Sequence, residues 1–99
     1  MITEDQVKSI LKNCYDPEIP INIVDLGLVY GIEIDDENKK IKIIMTLTSP
    51  GCPMYAQISE DVKRRIAEGT GAEVTVEMVW EPRWTQEMMS EDAKATIGL

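Results

Sequence analysis

Two thiols and a loop of carboxylates are the groups in this 99-residue sequence whose types and surroundings could do chemistry. Cys52 follows Ser49-Pro50-Gly51 and precedes Pro53-Met54, where an alternating apolar segment turns and a helical pattern begins. A thiol at a helix start meets unpaired N–H groups and the positive end of the macrodipole. Both favour thiolate over thiol and can lower a cysteine pKa below its free value. Pro53 suits the first helical position, because its missing N–H would have no partner there and its φ is already helical. The same place also fits a small capping or core residue, since free cysteine is among the most buried residue types. Cys14 completes an apolar stripe with Val7, Ile10 and Leu11 at i, i+3, i+4 and i+7, and is read as packing. Asp16, Glu18 and Asp25 place carboxylates on a loop, where they bond nearby backbone N–H groups in turns or offer metal or partner contacts. The turn role is the simpler reading for each. Histidine is absent, which excludes Cys-His and Ser-His-Asp catalysis within the chain and any histidine-ligated metal.

The elements that must position these groups are legible in order. Thr3-Glu4-Asp5-Gln6 fits a capping box, with Ile2 and Val7 spaced as a hydrophobic staple, and a helix follows. Asp16-Pro17-Glu18-Ile19-Pro20 ends it, because the two prolines bias their predecessors towards extended backbone. From Leu28 the pattern alternates, with Leu28, Tyr30, Ile32 and Ile34 on one face and Val29, Gly31, Glu33 and Asp35 on the other. After a polar turn at Asp35 to Lys39, Lys40 to Thr48 alternates again. Ile41, Ile43, Met45 and Leu47 point inward, while Lys42, Ile44, Thr46 and Thr48 share the helix-free side. A second helix runs from about Met54 to Glu68 on Ile58, Val62 and Ile66, stopped by Gly69-Thr70-Gly71. Glu73 to Trp80 is a third strand with Val74, Val76, Met78 and Trp80 on one face. A right-handed helical crossover makes it parallel to the second strand and antiparallel to the first. Trp84 and Met88-Met89 are expected to pack the tail over one end of the sheet, and Ser90 to cap a short last helix closed by Gly98. The expectation is one domain over residues 1–99, an α+β fold. It is a two-layer α/β domain of order α-β-β-α-β with a short C-terminal helix and a three-stranded mixed sheet.

Composition narrows the classes. The net charge is -8, from 18 acidic and 10 basic residues. Phosphate backbones are repelled by such a chain, and its one dense basic run, Lys63-Arg64-Arg65, falls towards the end of a predicted helix where cations complement the dipole. The element order also resembles KH-type RNA-binding domains, but their GXXG loop and basic surroundings are missing. No apolar run approaches the roughly 18 residues of a membrane span, and the start at Met1 shows no signal-peptide pattern. The expected location is cytoplasmic, with reduced thiols and with neither nucleic acid nor membrane as partner.

Four ordered motifs then resemble one family. They are Asp16-Pro17-Glu18-Ile19-Pro20, Ile23-Val24-Asp25-Leu26-Gly27-Leu28-Val29-Tyr30, Met45 to Pro53 including Thr48-Ser49-Pro50-Gly51-Cys52, and Trp80-Glu81-Pro82 with Trp84-Thr85 and Met89-Ser90. Together they resemble the SufT-like and PaaD-like small iron-sulfur cluster assembly proteins over essentially the whole chain. The resemblance implies an iron-sulfur assembly-type α/β domain, a role in maturing iron-sulfur proteins, and a shared polar site of Asp16, Glu18, Thr48, Ser49 and Cys52. Arg83 and Gln86 stand where the family often carries proline, which bears on the tail and leaves the cysteine loop intact. The cysteine-rich C-terminal extension common in PaaD proteins is not seen by Leu99, which favours a general assembly factor over an accessory subunit of an aromatic ring oxygenase system.

An iron-sulfur cluster usually needs four cysteine thiolates, and this chain has two. A stable cluster within one monomer is therefore not expected. Cys52 would instead be one ligand of a labile cluster or iron, shared between the subunits of a homodimer or with a partner, or completed by Asp16, Glu18 or an exogenous thiol. The leading reading is a non-enzymatic accessory factor in iron-sulfur cluster assembly or transfer, working with the assembly machinery and client apoproteins. A thiol-based redox protein is the alternative from another class, and the absence of a general base weighs against it.

Overall fold

The computed structural model describes residues 2–15, 20–48 and 55–98. Its elements are α1 (Glu4–Leu11), β1 (Val29–Asp35), β2 (Lys40–Met45), α2 (Tyr55–Thr70), β3 (Glu73–Met78), a 3-10 turn at Gln86–Met88, and α3 (Glu91–Thr96). Thr3 caps α1, its Oγ1 accepting from the Gln6 N–H at 3.1 Å. The capping box is only half formed, because the Gln6 amide donates across to the Gly69 carbonyl at 3.4 Å and so ties α1 to the end of α2. Gly69 itself lies inside α2, where a Cβ would sit 2.7 Å from Ile10 Cδ1. The glycine allows the two helices to approach rather than ending the second. The helix ends one residue later, with Gly71 at φ +72°.

The sheet has the order β1-β2-β3, with β1 antiparallel and β3 parallel to the central β2. Asp35 organises the β1–β2 turn. Its carboxylate accepts from the Asn38 backbone N–H and side-chain amide, and these bonds hold its carboxyl below the usual range. Ile41, Ile43 and Met45 of β2 join Val7 and Leu11 of α1 and Ile58, Val62 and Ile66 of α2 in one buried core, so the helices form one layer against the sheet. Thr46, on the other side of the strand line, is also buried, with its hydroxyl 3.5 Å from the Leu47 carbonyl.

Three local expectations need correction. The alternation of β1 is interrupted: Val29 pairs with Met45 but Gly31 with Ile44, leaving Tyr30 as the extra residue of a bulge. Val29 therefore packs on the core, and Tyr30 turns to the C-terminal segment, donating to the Pro82 carbonyl at 2.7 Å. Lys63, Arg64 and Arg65 sit within α2, and none lies in its last turn. They face carboxylates on the same helix, Lys63 with Glu60 at 3.8 Å and both arginines with Asp61 at 2.6 and 3.0 Å, so local ion pairs replace the dipole role. Trp80 lies beyond the end of β3 and is 39% exposed, so it does not continue the inward face of that strand. Among the described residues no helix is long and apolar enough to cross a membrane.

Candidate functional site

Of the residues expected to form the shared polar site, Thr48 is described and is half-buried just beyond the end of β2. Asp16, Glu18, Ser49 and Cys52 lie outside the described residues. Tyr15 and Asn22 form an antiparallel bridge, and the Ile23 N–H donates to the Cys14 carbonyl at 2.9 Å, so the described chain before Asp16 and after Glu18 is drawn together at one base. The segment holding Ser49 and Cys52 leaves from β2 and enters α2 at Tyr55, the position of a strand-to-helix connection in a parallel crossover.

The two bases are neighbours. Tyr15, from the first, lines a cleft of about 270 Å³ with Gln57, Ile58 and Asp61 from the first half of α2. On its other side Tyr15 borders a smaller cleft of about 130 Å³ with Pro20, Asn22, Asp25 and Asp92. Tyr15 is 53% exposed between them, and sequence periodicity gave no reason to single it out. Its signal would have been an aromatic residue immediately before a proline-bounded loop.

Asp25 has the turn role expected of it. Its N–H donates to Asn22 Oδ1 at 2.9 Å, and the Asn22 side-chain amide donates back to Asp25 Oδ2 at 2.8 Å. The turn it belongs to is not a polar loop. Ile21, Ile23, Leu26 and Leu28 are all buried, an irregular stretch of core that alternation rules could not detect.

Cys14 is 1% exposed, its Sγ lying 3.9 Å from the Ile10 carbonyl. Burial, reinforced by the Asp61 carboxylate and only partly opposed by Arg65 and Arg64, pushes its thiol up to about 11. At neutral pH it is a protonated, enclosed thiol, unsuited to nucleophilic attack or metal ligation. Among the described residues no three cysteine, aspartate or glutamate side chains converge as a metal site.

The sequence model of a family described as iron-sulfur cluster assembly protein matches residues 4–78. The chain belongs to that family. It is 49% identical over 85 residues to the Fe-S protein maturation auxiliary factor SufT of Staphylococcus aureus, covering 85% of this chain and 96% of that one. It is 38% identical over 97 residues to the Fe-S protein maturation auxiliary factor YitW of Bacillus subtilis, covering 97% and 94%. The crystal structure of a domain of unknown function from Bacillus anthracis superposes with a TM-score of 0.91 at 41% identity, over 97% of this chain and 92% of that one. The assembly-family match runs from the start of α1 to the end of β3, and the segment carrying Trp84 and α3 follows it.

Proposed function

We propose that this protein is an accessory factor in iron-sulfur cluster assembly or transfer to client proteins, acting through Cys52 rather than by enzymatic turnover. Asp16, Glu18, Thr48 and Ser49 form its supporting polar site. Membership of the assembly family and likeness to two maturation auxiliary factors support the role. The observation that carries the choice of residue is the withdrawal of Cys14. One of the two thiols in the chain is enclosed and held protonated at neutral pH, so the task falls to the other.

The cluster or iron is then cargo. Cys52 loses its proton as it binds iron, and the remaining coordination is completed by a second subunit, a carboxylate from the Asp16–Glu18 segment, an exogenous thiol or the client itself. Incomplete coordination by one chain makes release easy, which suits transfer. The partners are the assembly machinery and client apoproteins, and the single unit of residues 1–99 works in the cytoplasm, where thiols stay reduced. Anaerobic reconstitution with iron and sulfide, followed by cluster absorbance per chain, should give weak, substoichiometric cluster that Cys52→Ser abolishes and Cys14→Ser does not. In cells lacking the protein, Cys52→Ser should fail to restore client activity. Full restoration by Cys52→Ser together with failure of Cys14→Ser would misassign the site. Restoration by both would make the protein a scaffold without metal chemistry.

A further inference from the structure

We infer that the segment after β3 is a positioning strap, in which Trp84 fixes the turn that closes the base of the Asp16–Glu18 segment. Three of its contacts fall on consecutive residues of that turn. The Ser90 N–H donates to the Asp25 carbonyl at 2.8 Å, the Trp84 indole N–H donates to the Leu26 carbonyl at 2.7 Å, and a Cβ on Gly27 would lie 2.2 Å from the Met88 carbonyl oxygen. The bulge that frees Tyr30 adds a fourth hold, its hydroxyl donating to the Pro82 carbonyl. Burying Met89 and Ala93 would by itself secure the segment to the core, and packing alone does not require two donors aimed at adjacent carbonyls.

The other side of the same turn carries the base of the loop. Asn22 accepts from the Leu26 N–H through its carbonyl and exchanges side-chain bonds with Asp25, while also pairing with Tyr15. Movement of Asp25 or Leu26 is thus transmitted to Asn22 and to the Tyr15–Asn22 bridge. The strap sets the separation and direction of the two chain ends between which Asp16 and Glu18 run. Trp84 acts in this role through the Leu26 carbonyl, and is a positioning residue whose importance to function rests on the assembly reading above.

The test uses the full chain with Trp84→Phe, which keeps an aromatic ring and removes the donor, and with benzothienylalanine at position 84, which keeps the indole shape without its N–H. Hydrogen exchange at the Ile23, Leu26 and Leu28 amides should speed up about fivefold more in both than at the amides of β2 and β3, over and above any common rise that a lower urea midpoint accounts for. Client activity in cells should fall severalfold for Trp84→Phe. Unchanged exchange at the three turn amides overturns the strap. A rise of equal size at the turn and across the sheet makes Trp84 a packing residue only, and also overturns it. Faster local exchange with full client activity, in cells where Cys52→Ser is inactive, removes the functional part of the inference. If Cys52→Ser is itself fully active, the assembly reading through that thiol fails while the exchange data still decide the strap.

Discussion

At the scale of single residues, the two thiols are separated by their surroundings. Cys14 is enclosed between α1 and α2, and a thiol pushed up to about 11 is almost wholly protonated near pH 7.5. Brief iodoacetamide treatment of the native protein, followed by mass spectrometry, should therefore label Cys52 first and reach Cys14 only after denaturation; preference for Cys14 would contradict this. The same shift fixes a pH dependence. The folded thiol titrates near 11 and the unfolded one near its ordinary value of 9. This thiol costs no stability below about pH 9 and an increasing amount as pH rises from 9 to 11, because the unfolded chain releases its proton first. Over that window wild type should lose on the order of 2 kcal/mol more than Cys14→Ala, read from urea midpoints at successive pH values.

At the scale of elements, two glycines mark different kinds of closeness. At Gly27 the atom in the way is the backbone carbonyl of Met88, which cannot move without lifting the strap, and the residue's φ of +78° is itself strained for any side chain. Gly27→Ala should destabilise by on the order of 3 kcal/mol in thermal or urea unfolding. At Gly69 the obstacle is the flexible end of Ile10, and alanine gains helix propensity of about 1 kcal/mol, so Gly69→Ala should change stability by less than about 1 kcal/mol. A larger loss would show that the α1–α2 crossing is as rigid as the strap contact. The β1 bulge makes its own prediction. Tyr30→Phe removes one hydrogen bond to the strap and should cost about 1 kcal/mol without unfolding the sheet, seen as a lower urea midpoint with unchanged slope.

For the whole molecule, a net charge of -8 repels a phosphate backbone, and the one dense basic run is already engaged with Glu60 and Asp61. RNA or DNA should show no mobility shift with the protein at physiological ionic strength, and a retained complex would reopen the KH-like alternative. The sequence alone determined the elements and their inward faces, because the apolar periods of 3.6 and 2 that build a helix stripe or a strand face are local properties of the chain. Val7 and Leu11 on the first helix, Ile41, Ile43 and Met45 on the second strand, and the Ser90 cap of the last helix are all where those periods place them, and Cys14 is buried as expected although α1 ends before it. The family motifs were local as well, and they carried the expectation of an iron-sulfur assembly domain. Tertiary structure decided the central place of β2, the bulge at Tyr30, the burial of Ile21, Ile23, Leu26 and Leu28 without regular structure, and the path of the strap over Asp25 to Gly27. Each of these is set by a partner distant in the chain. A bulge exists only relative to the opposite strand's register, and an irregular apolar stretch becomes core only when something closes over it. Such contacts leave no period in the residues that make them.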